Sequence, residues 1–367
     1  MCPASLDLAA LGEAALPLPA ASAPLVVRFP ALGDAVLLTV LLRALAARYG
    51  RAVHLLASGP WTPVLLGTMA AVEEIRTVRS RRSPYWLTPS RWVAVDWLQA
   101  HTGPVYWCEQ DRWAERLLEQ AAIPEERLVR AWRHWPGDGI HWADWWLQIA
   151  RLDAPACPGP ATVIDLPARP ALDIPDTWHA EARSWLAEHD IADHALVLLQ
   201  PGHKKTHKRG RIGTRYHDKH WPAARWATVI RGVFAVVPDA AVLVNGSPRE
   251  RYLVQEIIDL VGAIPAGGRL LNLAALEPSV QRLCALAARA HSMISVDTGP
   301  AHVAGAMDCP LVVLFGAGGW GRWLPRAATS TVTAFGPEPP TPGARVMDID
   351  PRQVIDAWAA LPPRGRR

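Results

Sequence analysis

Residues 25–43, LVVRFPALGDAVLLTVLLR, decide the fold class. Leu25 to Phe29 is a short apolar run of strand length. Pro30 to Asp34 makes a turn that Gly33 lets close tightly, and an apolar run from Ala35 to Gly50 suits a helix. A strand entering a helix through such a turn is the repeating unit of a parallel sheet covered on both faces. The pattern continues with strands expected at Ala52–Ala57, Glu74–Val78 and Trp92–Trp97, a helical stretch at Pro63–Met69, and helices at Asp111–Ala121 and His141–Leu152.

A Pro-rich stretch from Ala154 to Pro175 interrupts the alternation, which then restarts. Helix Trp178–His189, strand Ala195–Gln200, helix Pro222–Val236, strand Ala241–Asn245 and helix Arg249–Val261 come first. Helix Pro278–Ala290, strand Met293–Val296, helix Pro300–Met307 and strand Leu311–Phe315 complete the second half. A chain of 367 residues exceeds the roughly 250–300 at which one core stops growing, so two doubly wound α/β domains are expected. The boundaries read as a loose leader at 1–24, a first domain at 25–153, a linker at 154–175 and a second domain at 176–345. The tail at 346–367 carries a helix near Pro351–Leu361 suited to packing back across the first half.

Half the residues are apolar and a fifth charged, which excludes wholesale disorder. No apolar run reaches bilayer length, and residues 1–24 lack the basic start of a secretion signal. Five cysteines with no C-x-x-C pair argue against a disulfide scaffold or a zinc knuckle and point to the cytosol. The net charge of +4 is uneven. Between His203 and His220 seven basic side chains face Asp218 alone, a local +6 that leaves the rest of the chain at −2. A concentrated patch points to a specific anionic partner; the competing reading, a polyanion- or nucleic-acid-binding protein working through residues 204–215, lacks aromatic residues interleaved with the charge. Ten of the eighteen tryptophans lie between Trp86 and Trp146. Packing explains pairs at helical spacing such as Trp142 and Trp146, and a sugar-stacking surface is the alternative.

In a doubly wound sheet, ligands collect where strands run into helices. Asp34 stands at one such turn, as an N-cap or as a general base. Ser295-Val-Asp297-Thr298-Gly299-Pro300-Ala-His302 is a second. There Asp297 or Thr298 can simply cap the helix over a core His302, or Thr298 and the helix N-H groups can seat a phosphate. Lys219-His-Trp-Pro222 leads the basic segment into a third helix start. Gly246-Ser-Pro-Arg-Glu250 follows a strand and puts Glu250 where it can grip ribose hydroxyls or match the helix dipole. Gly316-Ala-Gly318-Gly-Trp-Gly321 fits a dinucleotide fingerprint, but Pro325 follows and no helix begins. Asp348-Ile-Asp350 beside Pro351 reads as capping rather than a metal-binding pair. No G-x-S-x-G, H-E-x-x-H or Walker loop occurs, which lowers hydrolase, zinc-protease and triphosphatase readings.

Four of these segments occur in one order over roughly residues 25–325: Arg28-Phe-Pro-Ala-Leu-Gly-Asp34, Asp218-Lys-His-Trp-Pro222, Asn245-Gly-Ser-Pro-Arg-Glu250 and Val296-Asp-Thr-Gly-Pro-Ala-His302. Together they resemble glycosyltransferase family 9, the ADP-heptose:lipopolysaccharide heptosyltransferases. The resemblance implies a GT-B architecture, two Rossmann-like domains facing across a cleft. It also implies an inverting transfer needing no metal or other cofactor, from ADP-heptose to a lipopolysaccharide inner-core acceptor at the membrane's inner face. By the same correspondence Asp34 matches the catalytic base and Lys219 a phosphate-binding lysine, while Thr214, Glu250, Asp297, Thr298, Gly299 and His302 match donor-site residues. Such a protein would work in the cytoplasm without a transmembrane segment or nucleic acid. A different nucleotide sugar or acceptor on the same fold is the alternative. Basic side chains and helix starts are also what a metal-free site needs, because charge builds on the leaving diphosphate as the sugar bond breaks.

Overall fold

In the computed structural model, residues 23–79, 88–159, 165–203 and 217–362 are described. The chain divides into two compact units, the first running to Ala168 without residues 138–141, the second made of those four residues and everything from Arg169 onward. The division falls inside the Pro-rich stretch 154–175.

The first unit runs β1 (Leu25–Val27), α1 (Leu32–Tyr49), β2 (Val53–Ser58), α2 (Trp61–Leu66), β3 (Val72–Val78), α3 (Pro89–Ala100), β4 (Val105–Trp107), α4 (Arg112–Ala121), β5 (Leu128–Arg130) and α5 (Trp142–Ile149). Its strands are parallel in the order β3-β2-β1-β4-β5, with Leu25 paired to both His54 and Val105. β1 is central and fully buried. α1 stops at Gly50, whose φ of 61° is a left-handed conformation that glycine takes without a Cβ penalty.

Residues 92–97, expected as a strand, lie inside α3. Pro89 opens that helix, and Arg91, Ala94, Val95 and Leu98 are its buried residues, the three-and-four spacing of a helix face rather than the alternation of a strand. β4 and β5, three residues each, escaped the sequence reading because so short a run carries no period.

The second unit opens with α6 (Asp176–Glu188) and continues β6 (Leu196–Gln200), α7 (Ala223–Val236), β7 (Ala241–Val244), α8 (Arg251–Val261), β8 (Arg269–Asn272), α9 (Val280–Arg289), β9 (Ser292–Val296), α10 (Gly299–Ala306), β10 (Leu311–Leu314), β11 (Val332–Phe335) and α11 (Pro351–Ala359). Its six parallel strands take the order β11-β10-β9-β6-β7-β8. Val197, Val242, Ile294 and Val312 enter the core on one side of this sheet, and Leu198, Leu243, Met293 and Val313 the core on the other. Apolar residues at every strand position are what a sheet buried on both faces requires.

In each sheet the order reverses once, between β1 and β4 and between β6 and β9. Helices following the two strands leave such a point on opposite faces, opening a crevice at the strands' carboxyl ends.

The last helix corrects an expectation. Instead of packing back across the first half, α11 buries Val354 and Trp358 in the second unit's core, against α7. Trp358 Nε1 donates to Ser292 Oγ at 2.7 Å, at the start of β9. Asp350 Oδ1 accepts from Arg352 N at 2.9 Å, and Asp348 Oδ2 from Arg345 N at 3.1 Å, so both carboxylates of the D-x-D cap helical turns. Replacing Trp358 with Ala leaves a cavity and removes one hydrogen bond from Ser292, and is expected to cost about 3–5 kcal/mol in chemical denaturation.

Candidate functional site

At the second unit's switch point the chain leaves β9 through Asp297 and Thr298 and enters α10. Thr298 is the N-cap in an extended conformation, yet its hydroxyl makes no capping bond, and Pro300 in the first turn has no N-H to satisfy. Asp297 does not cap the helix either. Its Oδ2 accepts from Lys219 Nζ at 2.5 Å and its backbone oxygen from the same ammonium at 3.3 Å. The structure therefore brings Lys219, Asp297, Thr298 and Gly299 to one helix start, with His302 buried in the following turn.

Lys219 is held there by its neighbour. Asp218 Oδ2 accepts from Ala317 N at 3.2 Å, its backbone oxygen accepts from Val346 N at 2.6 Å, and Oδ1 lies 3.0 Å from His217 Nδ1. A Cβ on Gly316 would come within 2.5 Å of the Asp218 carboxylate, so residue 316 has to be glycine for this anchor to seat. In the sequence Asp218 is the lone acid of the basic patch and the first residue of the Asp218–Pro222 motif; structurally it ties the Lys219 segment to the end of β10.

The rest of the glycine-rich loop closes on Glu338, whose Oε2 accepts from Trp320 N at 3.1 Å and Gly321 N at 2.6 Å. The loop thus wraps a carboxylate of its own chain, and no helix follows it.

Beyond β7, Glu250 plays two parts. Its Oε2 accepts from Ser247 N and Ser247 Oγ, both at 2.8 Å, completing a capping box. The side chain is only 5% exposed, and Oε1 has no hydrogen-bond partner among the described residues. Gly202, just past β6, leaves the space this oxygen occupies. Asn245 Nδ2 donates to Gln200 Oε1 at 2.5 Å and Gln200 Nε2 to Gly202 O at 2.9 Å, locking the ends of β6 and β7 together.

Asp34 belongs to the first unit and lies at that unit's own switch point. α1 begins at Leu32 after Ala31, so Asp34 is in the first turn but is not the N-cap. Its Oδ1 is 3.6 Å from Arg28 Nη2, and the carboxylate keeps 27% exposure. Arg28 Nη1 donates to Cys108 O at 2.9 Å and lies 3.5 Å from Glu109 Oε1, while the guanidinium sits 6.0 and 5.8 Å from the Trp142 and Trp146 ring centroids. Glu109 Oε1 accepts in turn from Phe29 N at 2.5 Å. Glu109 follows β4 and went unnoticed because β4 did; no motif marks it. Burial pushes the Cys108 thiol's pKa far up, so it serves packing rather than nucleophilic chemistry. Thr214, the basic run 204–215 and Trp86 lie outside the described residues.

Two α/β units of Rossmann type, each with polar groups gathered at its switch point, define the GT-B class of fold. Residues 194–347 match the model of glycosyltransferase family 9 (heptosyltransferase). The match lies in the second unit, which is therefore similar to the corresponding part of that heptosyltransferase family. Lipopolysaccharide heptosyltransferase 1 of Salmonella typhimurium is 29% identical over 118 residues, which are 30% of this chain and 33% of that protein. The chain thus spans about a third of the length of the curated relative it matches. Two solved structures share the fold over 92% of this chain. A family 9 glycosyl transferase from Veillonella parvula has a TM-score of 0.70 and 17% identity, with 96% of its chain covered. The ADP-heptose lps heptosyltransferase II of E. coli has 0.67 and 19%, with 98% covered.

Gly202→Ala tests the seating of Glu250. The added methyl displaces the carboxylate and opens the capping box at Ser247, with an expected loss of about 1–2 kcal/mol in thermal or chemical unfolding.

Proposed function

We propose that the chain is an inverting, metal-independent glycosyltransferase that moves a heptose from ADP-heptose to a lipopolysaccharide inner-core acceptor. The observation that carries this reading is the junction of Lys219 with the start of α10. A cationic side chain and a helix N-terminus converge there at a switch point, in the segment that matches the family. In this reading Lys219 and the α10 N-H groups take the diphosphate, with the Thr298 hydroxyl beside them and Gly299 allowing close approach. Asp297 holds the ammonium in place until the donor arrives. Glu250 Oε1, buried with no hydrogen-bond partner among the described residues, takes a ribose hydroxyl. His302 and Thr214 are assigned to the donor site by the resemblance, and the fold shared with the ADP-heptose lps heptosyltransferase II of E. coli supports ADP-heptose as the donor.

Asp34 is the proposed base. It removes the proton from an acceptor hydroxyl as that oxygen attacks the anomeric carbon from the face opposite the nucleotide. The anomeric carbon–oxygen bond breaks, ADP leaves with the bonding pair, and one displacement inverts the anomeric centre. Lys219 and the helix dipole stabilise the charge that builds on the departing phosphate. Arg28, 3.6 Å away, keeps Asp34 oriented. No helix among the described residues is long and apolar enough to cross a membrane.

Asp34→Ala is expected to lower transfer by roughly a hundred- to ten-thousandfold while ADP binding by calorimetry stays near wild type. Unchanged transfer would falsify the base assignment. Lys219→Ala is expected to weaken ADP binding about tenfold or more, the scale of a charge-assisted hydrogen bond; equal affinity removes its phosphate role.

A further inference from the structure

The first unit contains a pocket of about 320 Å³ at the carboxyl ends of β4 and β5. Trp107 and Trp132 give it aromatic surface, and Glu109, Gln110, Glu115 and Arg130 its polar groups. Ligand pockets span roughly 300–1,000 Å³, so this one suits a single small ring. Glu109 belongs both to this lining and to the network around Asp34, being 3.5 Å from Arg28, which is 3.6 Å from Asp34. The pocket is thus linked to the proposed base through two successive ion pairs, Glu109 to Arg28 and Arg28 to Asp34.

Charge decides what kind of ring fits. Arg130 Nε lies 3.0 and 3.1 Å from the two oxygens of Glu125, and its Nη1 lies 3.1 Å from Glu115. Arg133, the other guanidinium of the lining, is 2.7 Å from the same Glu125. Glu109 faces Arg28. Each cation therefore has a carboxylate against it, and no surplus positive charge is left for a phosphate or an acidic sugar. Paired carboxylates and guanidinium groups do offer alternating acceptors and donors, which is what the hydroxyls of an uncharged sugar need. Gln110, exposed at the rim, adds one of each.

The aromatic side is built to stay still. Trp132 Nε1 donates to Cys108 O at 3.0 Å, and its ring packs 4.8–5.6 Å from Trp135, Trp142 and Trp145. The dense tryptophan region thus fixes one indole face at the pocket. Trp107 is 1% exposed and its Nε1 is buried with no hydrogen-bond partner among the described residues. A buried donor without an acceptor is costly unless something else supplies one.

We propose that this pocket is a subsite for an uncharged sugar ring of the acceptor, stacked on Trp132 and hydrogen-bonded by Gln110, Glu115 and Arg130, and linked through Glu109 to the Arg28–Asp34 pair. The inference rests on the reading of Asp34 as the base and names the acceptor class that base serves. Stacking uses the apolar face of the ring, and the charge-balanced rim discriminates against anionic sugars.

The test is saturation-transfer NMR, with titration, of the whole protein against the methyl glycosides of heptose and glucose and against methyl glucuronide. At least one uncharged glycoside is expected to bind saturably and about fivefold or more tighter than the glucuronide. Gln110→Ala, at an exposed position, and Trp132→Leu should each weaken it about fivefold, the scale of one or two net hydrogen bonds or one stacking contact. Asp34→Asn should leave glycoside binding in place. The proposal is overturned if neither uncharged glycoside saturates, if the glucuronide binds as tightly, or if Gln110→Ala binds like the wild type. Loss of transfer in Asp34→Asn with no glycoside binding would sink the subsite and keep the base. Binding with transfer intact in Asp34→Asn would keep the subsite and sink the base.

Discussion

The ion pair between Lys219 and Asp297 is the contact on which the second unit's site depends. An ammonium beside a helix start is mobile unless something fixes it, because a lysine side chain has several rotatable bonds to immobilise. Here two devices do so. Asp297 takes the ammonium through both a carboxylate and a backbone oxygen. Asp218, one residue earlier, pins the backbone against the Gly316–Ala317 turn and Val346. The pair is also charge-neutral, so the site does not carry an uncompensated buried cation before an anion arrives. In the proposed reading a phosphate has to compete with Asp297 for Lys219, which favours a strongly anionic diphosphate over a weakly charged ligand.

The two switch points use the same geometry for different chemistry. In the first unit the polar groups after β1 and β4 are an arginine and carboxylates, Arg28, Asp34 and Glu109. In the second, the groups after β6, β7 and β9 include a lysine, the buried oxygen of Glu250 and a helix start. Topology supplies the crevice in both; in the proposed reading side-chain choice suits the first to proton removal and the second to phosphate binding.

Much of this was legible because strand-to-helix turns are punctuated by glycine and proline in the sequence. Gly33, the Gly299–Pro300 pair and Pro222 mark helix starts that the structure reproduces within a few residues. Less was legible where an element was too short for a period, as with β4, and Glu109 was missed along with it. Residues 92–97 looked like a strand because they form a short, mostly apolar run, but Pro89 and the buried spacing of Ala94, Val95 and Leu98 make them helical. Capping could not be assigned from composition. Asp34, Asp297 and Thr298 all stand where caps stand and none makes that bond, whereas Asp350 does and Glu250 takes part in a capping box with a single oxygen. The division of labour between side chain and backbone at a helix start is a matter of dihedral angles, which residue type only biases.

A crystal structure of the protein soaked with ADP tests the central claim most directly. The account predicts diphosphate oxygens within hydrogen-bond distance of Lys219 Nζ and of the first N-H groups of α10, with the ribose against Glu250. ADP bound elsewhere, or a diphosphate that leaves Lys219 on Asp297 and the start of α10 untouched, would contradict it.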